Sequence, residues 1–216
     1  MLKNLFTYGF TLDNIIFFLL RIVVVIFVIC IHEMAHGFAA VLLGDKTAKY
    51  DGRLSLNPLR HLDPFGALSM LFFGFGWAKP VMINPNYFKN YKRDMALTAL
   101  AGPLSNFLIA YIGMILFIHL CPVINIIYVT EFVRMFIMLN IGLGVFNLIP
   151  IPPLDGSKIF LTLLPRRVYY EIMRYEQFGF IVLIVALYLN ILDPILDICT
   201  NIIVKLLFLA AGGGLL

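Results

Sequence analysis

Residues 14–43 form an apolar run broken mainly by Arg21 and by the pentapeptide His32-Glu33-Met34-Ala35-His36. At about 1.5 Å per residue such a run makes a helix of roughly 45 Å, longer than the ~30 Å hydrocarbon core of a bilayer. One long or tilted membrane helix is therefore expected, with Gly44 ending it. The rest of the chain must suit a medium in which backbone polar groups find partners inside the protein. Composition agrees, since 62% of the 216 residues are hydrophobic and 13% charged, against roughly a quarter charged in a soluble domain. No small-residue cleavage site follows the run, so it reads as a retained span and not as a signal peptide.

Further apolar segments lie at about 95–120, 132–149, 177–192 and 195–210. Together they predict an all-α membrane protein, a bundle of about five transmembrane helices forming one domain over 1–216. Residues 45–94 hold eight of the 16 Lys and Arg residues and are broken by several glycines and prolines, yet 65–77 is strongly apolar. A hairpin that enters the membrane and returns is expected there, between the first two spans. Loops 44–94 and 156–175 are basic and are placed in the cytoplasm; 121–130 and 193–194 lack Lys and Arg and are placed outside. The formal charge of +4 follows from these loops, so the lipid bilayer is an expected partner and nucleic acid is not. Cys30, Cys121 and Cys199 are few, distant and set in or beside apolar segments, which suits small buried hydrophobes better than disulfides or a thiolate metal site.

The polar interruption of the first helix carries the chemistry. His32 and His36, four residues apart, differ by about 40° in azimuth and about 6 Å along the axis, so both imidazoles can reach one ion. Glu33 borders that face and can act as general base toward a zinc-activated water. Two imidazoles and a carboxylate inside an apolar helix are costly unless a cation compensates them. A catalytic zinc usually takes three protein ligands, and His61, His119 and the acidic residues are candidates for the third. Asp155 stands out because it follows the proline-rich break Pro150-Ile151-Pro152-Pro153 at a span's end. Its plainer alternative is a helix N-cap.

HEMAH, followed by Asn147-Leu-Ile-Pro-Ile-Pro-Pro-Leu-Asp155-Gly156, resembles the site-2 protease family of intramembrane metalloproteases, peptidase family M50. The stretches 52–58, 61–66, 75–80 and Ala101-Gly-Pro-Leu-Ser-Asn106 resemble a bacterial and archaeal branch of it. The resemblance implies one zinc per chain held by His32, His36 and Asp155, with Glu33 catalytic. It also implies that Asn147 holds substrate backbone or stabilises the oxyanion, and that 52–83 is a re-entrant hairpin presenting a strand edge to substrate. The implied activity is hydrolysis of transmembrane protein substrates by a multi-pass protein of the cell membrane, with the active site toward the cytoplasmic side. The length leaves no room for the PDZ or CBS domains of some members, so recognition and regulation are expected to differ. Two other classes remain open at this level. One is a catalytically idle binding protein, against which the intact HEMAH and Asp155 weigh. The other is an ion transporter, although no repeat relating two halves is visible.

Overall fold

The computed structural model describes residues 11–61, 63, 66 and 79–214. Helix α1 (Leu12–Leu42) is capped by Thr11, whose hydroxyl accepts from the Asn14 N–H. After it come a short α2 (Thr47–Tyr50) and two 3-10 turns, Pro58–Arg60 and Pro85–Tyr87, each opened by an asparagine side-chain cap. Then follow α3 (Tyr91–His119), a one-turn α4 (Cys121–Ile124) and α5 (Ile127–Asn147). The chain ends with α6 (Asp155–Leu161), α7 (Arg166–Arg174), α8 (Glu176–Tyr188) and α9 (Asp193–Ala210). No strand occurs among the described residues. Of the expected re-entrant hairpin, residues 62, 64–65 and 67–78 lie outside them.

Among the described residues three helices, α1, α3 and α5, are long and apolar enough to cross a membrane. The last two expected spans correspond to α8 and α9, which meet at 85° and count together as at most one more span. The physical reason is length: the 13 residues of α8 reach only about 20 Å. The break at 189–192, before Asp193-Pro194 opens α9, then turns the chain instead of continuing it. Large apolar side chains such as Phe27, Leu104, Leu108 and Ile202 stand outward on these helices, as lipid-facing positions do and as a water-facing surface rarely does.

The core is a layer of three packed spans. The Tyr128 hydroxyl donates to Asp13 across 2.6 Å, and the rings of Phe17 and Tyr128 lie 5.6 Å apart, so α1 and α5 start at the same level and run parallel. Helix α3 runs back between them. Gly113 admits Ile137 and Gly144 admits Phe107, which lets α3 and α5 close up as small residues do between membrane helices. Ala110, Met114, Ile137, Ile141 and Val145 fill that seam. His119 closes its far end, its Nε2–H donating to the Ala211 carbonyl at 2.9 Å beyond α9. Because the C-terminal parts of α1 and α5 share one end of the bundle, HEMAH and the residues after Asn147 are brought to a single level.

Candidate metal centre

Helix α1 presents His32 and His36 inward, and both are buried. Opposite them α3 offers no side chain. A Cβ on Gly102 would stand 2.4 Å from the His36 ring and 2.6 Å from Cε1 of His32. The imidazoles therefore rest on the bare backbone of α3. One turn earlier, His36 Nδ1–H donates to the carbonyl of Thr98 at 2.8 Å. A carbonyl only accepts, so in the neutral ring the proton sits on Nδ1 and Nε2 carries the lone pair. That is the arrangement a ligand histidine needs.

Asp155 completes the group from the other side of the break. The N-cap of α6 is Leu154, and Asp155 is the first helical residue, so the plainer cap reading of Asp155 does not hold. Its carboxylate turns inward instead. Oδ2 lies 3.2 Å from Nε2 of His32 and 3.1 Å from Nε2 of His36, and the two Nε2 atoms are 3.0 Å apart. Gly156 makes this approach possible. A Cβ there would stand 2.2 Å from the carbonyl oxygen of Leu148, so only glycine lets α6 abut the end of α5. Burial pushes the Asp155 carboxyl up, but the imidazoles of His32 and His36 outweigh it and hold the group below the usual carboxylate range. The centre thus contains an anion.

These three donors fit a zinc ion. A tetrahedral zinc with bonds of about 2.0–2.1 Å keeps its ligand atoms about 3.3 Å apart, close to the separations observed. Chemistry agrees with spacing: a lone pair fixed on His36 and a carboxylate oxygen without a hydrogen-bond partner converge in a buried site, which a cation satisfies and an apolar filling does not. Among the described residues this is the one group of three or more such side chains that could hold a metal. His61 is not in it; its Nε2–H donates to the Ser55 carbonyl at 2.7 Å, and its own carbonyl accepts from Lys79 N–H, so it ties Ser55 to Lys79.

Glu33 and Asn147 border the group on the wall of a cavity of about 610 Å³. The cavity is lined further by Phe180, Leu183, Ile184 and Leu187 of α8 and by Pro153 and Leu154. Glu33 Oε2 accepts the backbone N–H of Val81 at 3.0 Å. The segment bearing Val81 is held to the end of α1 a second time, by Asn84 N–H donating to the buried Asp45 carboxylate at 2.6 Å. Asn147 spends one amide proton on its own helix, at the Leu143 carbonyl 3.0 Å away, while its side chain borders the cavity.

Sequence reasoning had named His32, Glu33, His36, Asn147 and Asp155, and the structure gathers all five about one cavity end. It had not found Thr98 or Val81, which act through backbone atoms that any residue type supplies. Gly102 left a signal in Ala101-Gly-Pro, readable only once the imidazoles are placed against it.

Two imidazoles and a carboxylate about one open cavity, with a second carboxylate beside them, are the donor set of metallopeptidases. Comparison with known proteins gives the particular family. Residues 121–189 match Peptidase family M50. The chain is 42% identical over 160 residues to "Putative zinc metalloprotease YwhC" of Bacillus subtilis, covering 71% of this chain and 73% of that protein. It is also 26% identical over 164 residues to "Putative zinc metalloprotease Rip2" of Mycolicibacterium smegmatis, covering 74% of this chain and 62% of the relative. The Rip2 of Mycobacterium tuberculosis H37Rv is 31% identical over 134 residues, 59% of this chain and 51% of its own length. No solved structure matches the chain. This chain belongs to peptidase family M50, the site-2 protease family.

Proposed function

We propose that the protein is an intramembrane zinc endopeptidase that hydrolyses peptide bonds of membrane-embedded protein substrates in the α1–α5–α8 cavity. The observation that carries this reading is the convergence of His32, His36 and Asp155 beside the free edge of Glu33 in an otherwise apolar cavity. A zinc ion held by the three donors supplies Lewis-acid activation of water and of the peptide carbonyl.

The chain's own residues do the rest. Glu33 takes the proton of the attacking water and returns it to the departing amine nitrogen, so proton number balances over the cycle. The Val81 N–H holds Glu33 Oε2, leaving Oε1 to serve as the base. Asn147 offers its remaining amide proton to the substrate backbone or to the developing oxyanion, an interaction that gains strength in an apolar cavity. The α8 wall binds apolar side chains of the substrate and excludes bulk water, which suits a transmembrane segment better than a soluble peptide. The chain acts as one domain, a multi-pass protein of the cell membrane, with the site toward the cytoplasmic end of the spans.

The test is cleavage of candidate single-span proteins co-expressed with wild type and with Glu33→Gln. Turnover by wild type alone is the expected result. Equal cleavage by a zinc-loaded Glu33→Gln protein would refute Glu33 as the base, and no cleavage by either over a broad substrate set would favour a binding role.

A further inference from the structure

The two ligand histidines are held unequally. His36 Nδ1–H donates to the Thr98 carbonyl, whereas His32 Nδ1 is buried with no hydrogen-bond partner. A metal-bound imidazole ordinarily donates its second ring N–H to an acceptor, which fixes its tautomer and orientation. Other buried atoms share the condition of His32 Nδ1, among them both amide atoms of Asn106 and Oδ1 of Asn140. Both asparagines are fully buried, at 0% exposure, in the middle of membrane helices. Polar groups so placed call for partners.

Register shows what they share. Helices α1 and α3 are antiparallel, with His36 opposite Thr98 and His32 opposite Gly102. Asn106 lies four residues beyond Gly102, on the same face of α3 and about 6 Å further along, on the side of His32 that points away from His36. Helix α5 also opposes α3, with Gly144 against Phe107 and Gly113 against Ile137, so Asn140 stands about one turn beyond Asn106. The order along the bundle is His32, Asn106, Asn140. Their atoms alternate as donor and acceptor: Nδ1–H of His32, Oδ1 of Asn106, Nδ2–H of Asn106, Oδ1 of Asn140. The file closes on the Phe136 carbonyl, to which Asn140 Nδ2 donates at 2.8 Å.

We infer that Asn106 and Asn140 form a hydrogen-bond relay, joined through single buried waters, that accepts the Nδ1–H of His32 and fixes its Nε2 as a bare donor. Asn106 is then a positioning residue for the metal centre, and Ala-Gly-Pro-Leu-Ser-Asn supplies both a seat for the rings at Gly102 and an acceptor one turn on. The inference rests on the zinc reading above. Two amides that served helix packing alone would need neither this order nor this alternation.

The test measures zinc affinity of the purified full chain by chelator competition, and the cobalt(II) ligand-field spectrum, in Asn106→Leu, Asn106→Asp, Asn140→Leu and the Asn106→Leu/Asn140→Leu double variant. Asn106→Leu is expected to weaken zinc binding by about 10- to 100-fold. Asn106→Asp, which still accepts from Nδ1–H but no longer donates toward Asn140, is expected to lose no more affinity than Asn140→Leu does. Asn140→Leu should weaken binding less than Asn106→Leu does, and the double variant should be no worse than Asn106→Leu, because the sites act in series. Unchanged affinity in Asn106→Leu overturns the relay, as does equal loss in Asn106→Asp; if the Asn106 variants do not fold, unchanged affinity and spectrum in Asn140→Leu overturn it. Wild-type zinc that survives His32→Ala removes the zinc reading and the relay together, whereas His32-dependent zinc with an indifferent Asn106→Leu removes the relay alone.

Discussion

A methyl group on Gly102 would occupy the space now filled by the His36 imidazole, 2.4 Å from its Nε2. The metal centre is thus shaped by a missing side chain on α3 as much as by the side chains of α1. Gly102→Ala should push both rings off α3 and pull Nε2 away from Asp155. Overpacking of this kind costs about 1–3 kcal/mol, tolerable for the fold but damaging to a site set by tenths of an ångström. The expected outcome is an inserted, folded protein with much less than one zinc per chain by metal analysis. Full zinc content in that variant would show that the rings are not seated on α3.

The third donor is open to a direct contest. Asp155→Ala removes the anion that faces both imidazoles and should strip zinc as His32→Ala and His36→Ala do. His61→Ala removes a loop tie outside the group and should leave zinc content unchanged. The reverse pattern, with zinc lost in His61→Ala and kept in Asp155→Ala, would exchange the two assignments.

How much of this was legible beforehand depends on which atoms do the work. His32, Glu33 and His36 announce themselves because polar side chains in an apolar helix are expensive. Asp155 was legible through its position after a proline-rich break. The seam of α3 was not, because Gly102 and Thr98 contribute a gap and a carbonyl, neither of which has a residue-type signature. The last two spans misled for a related reason. Hydropathy sees 177–192 and 195–210 as two crossings, whereas the chain turns through 85° between α8 and α9, and α8 covers the cavity. Periodicity and composition report what a segment can bury and are silent on the angle at which it meets its neighbour.

Topology gives a further check. With α1 and α5 parallel and α3 between them, a reporter after Lys92 should read cytoplasmic and one near Asn125 external. A reporter after Arg167 should also read cytoplasmic. An external reading at Lys92 would invert the bundle and place water access to the centre on the opposite side.

The bond between Val81 and Glu33 allows chemistry and anchoring to be separated in one residue. Val81 N–H donates to Glu33 Oε2, and the other fastening of this segment, Asn84 N–H to Asp45, is independent of Glu33. Glu33→Gln keeps a side-chain oxygen for the Val81 N–H but has no basic carboxylate. Glu33→Ala has neither. Both variants should retain zinc and lose nearly all cleavage, since neither can take a proton from water. They should differ at Val81. A hydrogen bond to a charged group contributes about 1.5–3 kcal/mol and a neutral one about 0.5–1.5. Amide exchange at Val81 should therefore accelerate by roughly tenfold or more in Glu33→Ala and only modestly in Glu33→Gln, while Asn84 changes little in either. Equal Val81 exchange in wild type and Glu33→Ala would mean that the segment is held without Glu33, and the orientation of the base would then need another cause.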